Sequence, residues 1–104
     1  MALDRLEILK SMVAQNPNDS FSRYGLAMEY ANSGSLEKAV EEYESLLSLN
    51  PDYAAAYYHG AQALEKLGRI DDARRMYTRG LEATRRIGDE HTNSEIQLAL
   101  DILG

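Results

Sequence analysis

The stretch NPNDSF begins at Asn16 and NPDYAA begins at Asn50, 34 residues later. Sliding the chain against itself by that interval aligns much more than the turn. Tyr24 falls on Tyr58, Ala27 on Ala61, Gly34 on Gly68, Leu36 on Ile70, Ala39 on Ala73, Tyr43 on Tyr77 and Leu47 on Leu81. A chance pairing of two Asn-Pro turns would not also match small residues to small and aromatic to aromatic. A fixed interval of this length marks a chain assembled from stacked units, none of which can bury its apolar face alone.

Within each unit the apolar residues recur at helical spacing. Residues 21–32 carry Leu26, Ala27, Tyr30 and Ala31 on one face, and Ser33-Gly34 stops the helix because glycine accepts the left-handed conformation that closes it. Residues 36–49 place Leu36, Ala39, Val40, Tyr43, Leu46 and Leu47 together, and Asn50-Pro51 ends that helix. Asp52 then reads as the N-cap of a helix over residues 53–67, Gly68 as its stop, and residues 70–87 as the partner helix. Val, Ile and Thr are scarce, only 2 prolines occur, and no stretch alternates with period two, so the chain reads as all-α.

These units resemble tetratricopeptide repeats, helix-turn-helix pairs of 34 residues. Leu26-Ala27, Tyr30, Ala39, Tyr43 and Pro51 carry the resemblance in the first unit, and Tyr57, Ala61, Leu64, Ala73 and Tyr77 in the second. Arg23, Gly60 and Arg85 depart from the pattern, standing where an aromatic, a leucine and a closing proline are usual. Without that proline the fourth helix runs on toward Gly88 and displaces the unit that follows. The resemblance implies one domain over residues 1–104: a right-handed superhelical stack of antiparallel helix pairs with six helices. Its parts are an N-terminal flanking helix (3–15, with Leu6, Leu9, Met12 and Val13 inward), repeat 1 (20–53), repeat 2 (54–87) and a C-terminal capping helix (90–103). In the capping helix Leu98-Ala99 and Ile102 resemble Leu26-Ala27 and Tyr30. Ala27, Ala39, Ala61 and Ala73 fall where helices approach closely and where a larger side chain would overpack the contact.

Composition narrows the function. Net charge is −6, which argues against a nucleic-acid footprint. The chain has no cysteine, so disulfides, thiolate metal sites and a cysteine nucleophile are excluded. The opening residues carry Asp4 and Glu7 without a continuous apolar run, unlike a signal peptide, and no stretch approaches the ~20 apolar residues of a membrane span. We therefore expect a cytoplasmic protein that does not enter a membrane. Neither His59 nor His91 lies in a short spacing with acids that would place three metal ligands on one face, and Asp71-Asp72 and Asp89-Glu90 beside His91 suit helix starts. No phosphate loop or nucleophile elbow occurs, so no enzyme, metal or cofactor is expected.

What remains is recognition of a protein or peptide. The resemblance implies a concave face lined by the first helix of each repeat. The residues facing it are Phe21, Tyr24, Met28 and Asn32 from one helix and Tyr58, His59, Gln62 and Lys66 from the next. Lysines and asparagines that clamp a peptide carboxylate in related chaperone-binding proteins are replaced here by Tyr24 and Met28, which suits an apolar ligand better. Alternatively Tyr24 and Tyr58 only seal the seam between helices. The last helix carries a second apolar stripe, Ile96, Leu100 and Leu103, beyond what one buried face needs, so it is expected either to occupy the groove or to form a homodimer contact. Helix 36–49 is acidic and helix 70–87 is rich in arginine, which predicts ion pairs between neighbouring repeats.

Overall fold

A computed structural model of the chain describes residues 4–104. Leu3, expected in the first helix, lies outside the described residues. The described chain is all-α: α1 (Arg5–Gln15), α2 (Ser20–Asn32), α3 (Leu36–Leu49), α4 (Ala54–Lys66), α5 (Ile70–Ile87) and α6 (Glu90–Leu103). Each helix packs on the next one along the chain, and α2, α4 and α6 also meet in sequence along one side of the stack. This is a short solenoid of helix pairs.

Helix closure follows the repeat. Gly34 and Gly68 adopt φ of 84° and 79°, and the residue after each donates its backbone N–H to a carbonyl five residues back, at 2.8 Å and 2.9 Å. Those bonds satisfy carbonyls that a helix end leaves free. At the starts, Asp19 accepts from Phe21 N–H at 3.2 Å and Asp89 from Thr92 N–H at 3.0 Å. Asp52 does not cap α4, contrary to expectation. The cap residue is Tyr53, which makes no side-chain capping bond, while the Asp52 carboxylate turns away to Arg86 at 2.8 Å.

Close approach at the crossings is confirmed. Ala27, Ala39, Ala61 and Ala73 are all fully buried in one core with Tyr43, Tyr77, Leu46 and Ile96. The most confined crossing was not expected: Gly80 of α5 lies between α4 and α6. A methyl group there would sit 2.7 Å from Tyr57 Cβ and 2.8 Å from Ile96 Cδ1.

A second recurring device clamps each first helix to what precedes it. Arg23 donates to the Pro17 carbonyl at 3.1 Å, and Tyr57, its repeat partner, donates its hydroxyl to the Pro51 carbonyl at 2.7 Å. Arg23 thus does the work of the aromatic it replaces, and it also pairs with Glu42 on α3 at 3.1 Å. On α6 the corresponding position is Asn93, which donates to Thr84 Oγ1 at 2.9 Å and to the Leu81 carbonyl at 3.3 Å. The preceding turn has no proline, so the clamp reaches the helix itself.

The third unit is displaced, and by a definite amount. The cap residues Asp19 and Tyr53 stand 34 apart, whereas Tyr53 and Asp89 stand 36 apart. Helix α5 has 18 residues against 14 in α3, because Arg85 does not interrupt it as Pro51 ends α3. Counting from each cap, Ile96 occupies the place of Leu26 and Gly60, and all three are buried. The expected match of Leu98 to Leu26 is therefore off by two residues. Leu98 and Ile102 are 62% and 77% exposed, whereas Ile96 is 0% exposed and Leu100 and Leu103 pack against the core. Ile96 is buried and Leu100 and Leu103 are half-buried against the core, so this stripe packs α6 onto its own chain.

One further expectation is corrected and another is met by only a few contacts. Helix α1 buries none of its described residues: Leu6, Leu9 and Val13 are half-buried and Met12 is exposed, because α1 packs against α2 alone. The helices α3 and α5 are not direct neighbours either. No Cα pair between them comes within 8 Å, since α4 packs between them, and one long side chain, Arg79, reaches Glu44 at 2.9 Å. Arg86 makes a second pair across the repeats, to Asp52 at 2.8 Å, while Arg74 and Arg75 meet Asp71 and Asp72 on their own helix. Exposed pairs of this kind contribute about 0–1 kcal/mol each.

The glycines give a sharp test. Gly80→Ala should destabilise the fold by about 1–2 kcal/mol, because overpacking against Tyr57 Cβ and Ile96 outweighs the ~1 kcal/mol that alanine gains over glycine in a helix. Gly25→Ala should be neutral or stabilising, since its methyl would meet only the tip of Leu9 at 3.2 Å, on a half-buried side chain free to shift. Urea midpoints of the two variants check the opposite signs.

Candidate functional site

The face shared by α2, α4 and α6 is built from a repeating position. Five residues after the cap stand Tyr24 and Tyr58, nine after it stand Met28, Gln62 and Leu98, and thirteen after it stand Asn32, Lys66 and Ile102. Helical geometry puts residues at intervals of four on one face, so each helix contributes a stripe. Leu98 and Ile102 belong to this face. The sequence held that signal, but it emerges only once the second interval is taken as 36.

Rings dominate the first half of the face. Tyr24 lies 5.2 Å from Tyr53, 5.9 Å from His59 and 6.4 Å from Tyr43, measured between ring centroids. Tyr58 lies 5.3 Å from His59, edge on, and 6.4 Å from Tyr77. Tyr24 and Tyr58 are thus half-buried lids over the buried tyrosines of α3 and α5, each keeping an exposed side. Such tilted ring pairs contribute about 0.5–1.5 kcal/mol beyond burial. Met28 is half-buried beneath them, and its sulfur accepts the Tyr43 hydroxyl at 3.1 Å. Burial pushes the Tyr43 and Tyr77 hydroxyls far above the usual phenol value.

The expected groove residues do not form one patch. Tyr24, Met28, Tyr58, His59 and Gln62 line the middle. Phe21 stands at the first turn of α2, 73% exposed, while Asn32 and Lys66 are exposed at the opposite ends of α2 and α4. Between α4 and α6 the face deepens into a cavity of about 340 Å³. Tyr58, Gln62 and Glu65 form one wall, Glu95, Leu98 and Ile102 the other, and Tyr77 the floor. Glu65, Glu95, Leu98 and Ile102 were not anticipated at this site. Glu65 is placed by the Tyr77 hydroxyl, which donates to its Oε2.

His59 sits where this cavity meets the aromatic row. Burial lowers its pKa below the usual imidazole value, an effect partly offset by the Glu95 carboxylate and by Gln62. A folded state that resists protonation is less stable wherever the unfolded chain takes up the proton. The contribution is whole above the unfolded value of about 6.5 and is lost as pH falls toward the lower folded value. Urea midpoints measured from pH 7.5 down to pH 5.5, as an approximate working window, should therefore fall more steeply for the native chain than for His59→Gln.

Comparison with known proteins agrees with this architecture. A family model described as a TPR repeat matches residues 28–81, just over half of the chain. The uncharacterized protein MJ0572 of Methanocaldococcus jannaschii is 36% identical over 72 residues, covering 69% of this chain and 84% of that one. The solution structure of a tetratricopeptide repeat domain protein from Salinibacter ruber is 36% identical with a TM-score of 0.79, covering 85% of this chain and 89% of that one. The TPR2B domain of yeast Sti1, solved in a complex with pHsp70, shares the fold with a TM-score of 0.88 at 15% identity, over 94% of this chain and 78% of that one. Repeat interval, glycine closures and matched relatives converge: the chain belongs to the tetratricopeptide repeat family.

Proposed function

We propose that the chain is a non-enzymatic protein-interaction module that holds an extended peptide or a partner helix against α2, α4 and α6. The observation that carries this reading is the pair Leu98 and Ile102. They are two large aliphatic side chains, mostly exposed, set in a cavity whose opposite wall is Tyr58. Removing such side chains from water contributes about 25 cal/mol per Å² buried, which is the usual source of affinity at a recognition face. The half-buried tyrosines are already held by the rings beneath them, so little ordering is needed when a ligand arrives. Structural neighbours support the reading at the level of fold, since one is the Sti1 domain in its pHsp70 complex and another is PcrH with the chaperone-binding region of PopD.

A second copy of the chain is the alternative occupant. The same two exposed side chains favour it, and self-association would then run through Leu98 and Ile102 in place of the stripe expected from sequence.

Light scattering and peptide panning separate the two. A monomer whose selected peptides bind at least roughly tenfold more weakly to Tyr58→Ala and Ile102→Asp, with unchanged helical content, supports the interaction module. A dimer that Ile102→Asp converts to a monomer supports self-association. Selected peptides that bind both variants as well as the native chain remove this face as the recognition surface.

A further inference from the structure

The charges around the cavity are distributed unevenly. Two carboxylates line it, Glu65 on α4 and Glu95 on α6, and no lysine or arginine does. Among the described residues no lysine or arginine forms a salt bridge with either. The contacts seen are the Tyr77 hydroxyl on Glu65 and the exposed His91 imidazole, 3.7 Å from Glu95. Most arginines are engaged elsewhere, for example Arg23 with Glu42, Arg79 with Glu44 and Arg86 with Asp52, and Arg85 does not line the cavity. Lys66 is exposed and does not line the cavity. The chain as a whole carries a net charge of −6, so its field does not oppose a cation approaching this face.

Resting on the proposed function, we infer that the occupant of this cavity is a basic peptide segment, in which a lysine or arginine adjoins an aliphatic residue. The aliphatic side chain fits between Tyr58 and the Leu98–Ile102 wall. The adjoining cation reaches the Glu65 and Glu95 carboxylates and can lie against the outer side of the Tyr58 ring. Charge complementarity selects this occupant over an acidic one. An acidic segment would bring a third carboxylate beside two that have no lysine or arginine partner. A wholly apolar segment would cover Leu98 and Ile102 while burying the two carboxylates without compensation. Tyr77 contributes by fixing Glu65: its hydroxyl donates to one carboxylate oxygen and leaves the other for a ligand.

The test is panning of a random linear dodecapeptide library against the full chain, followed by calorimetry on synthesised winners. Lysine or arginine should be enriched next to leucine, isoleucine or methionine. Affinity should weaken as ionic strength rises. The double variant Glu65→Gln with Glu95→Gln should bind the winners about tenfold more weakly, as expected for loss of one charge-assisted hydrogen bond. Exchange of the peptide's own basic residue for glutamate should do the same with the protein unaltered, so a folding defect in the double variant cannot mimic the result. Winners that shift the amide signals of Tyr58 and Ile102 yet are acidic or neutral would overturn this inference and leave the interaction module standing. So would basic winners indifferent to both exchanges. If no winner touches this face, the broader reading fails and this one fails with it.

Discussion

The architecture rests on how closely helix backbones can approach. Four alanines, Ala27, Ala39, Ala61 and Ala73, stand at the crossings with no surface left exposed, and Gly80 stands where even a methyl group has no room. Small residues at crossings let the large ones interdigitate around them, which is how Tyr43, Tyr77, Leu46 and Ile96 all become fully buried in a short chain. A single hairpin could not do this. The core exists only because successive hairpins share it, so stability and groove geometry have the same origin.

Polar clamps then set how each hairpin sits on the last. Arg23 and Tyr57 perform one task with different chemistry, each donating to the carbonyl of the proline before its helix. Asn93 performs it where no proline is present, by bonding to Thr84 and Leu81 within the preceding helix. The extended α5 and the relocated clamp together bring α6 in two residues later than a strict repeat would. That offset turns Ile96 inward and leaves Leu98 and Ile102 on the open face. A small irregularity in the repeat thus decides which residues a ligand can meet.

Much of this could be read from the sequence, for identifiable reasons. The all-α class, the helix order, the glycine closures and the alanine crossings all follow from a periodicity written twice within one chain. Its failures have equally specific causes. Arg85 in place of a proline announces a displaced third unit, but Leu98-Ala99 imitates Leu26-Ala27 and no local pattern gives the size of the shift, two residues. Asp52 reads as a cap because aspartate is among the preferred N-cap residues, but Arg86 arrives from 34 residues away and takes its carboxylate. Ion pairs between neighbouring repeats do form, at Arg79–Glu44 and Arg86–Asp52, but they are few because α4 packs between α3 and α5 and only long side chains span the gap. Gly80 and the cavity carboxylates Glu65 and Glu95 draw their meaning from partners on other helices, which no local pattern announces.

One position on α6 bears on how such molecules behave in a crowd. The buried alanines Ala27 and Ala61 stand eight residues after their caps, and the corresponding residue on α6 is Gln97, exposed and donating to Asp101 at 2.9 Å. Docking a further helix on that side would strip water from both groups and crowd a long side chain into a seam made for a methyl. Solenoids are built by head-to-tail contacts that have no intrinsic reason to close, so an apolar residue there would invite end-to-end filaments. A long polar amide in that place makes head-to-tail stacking against this face of α6 costly.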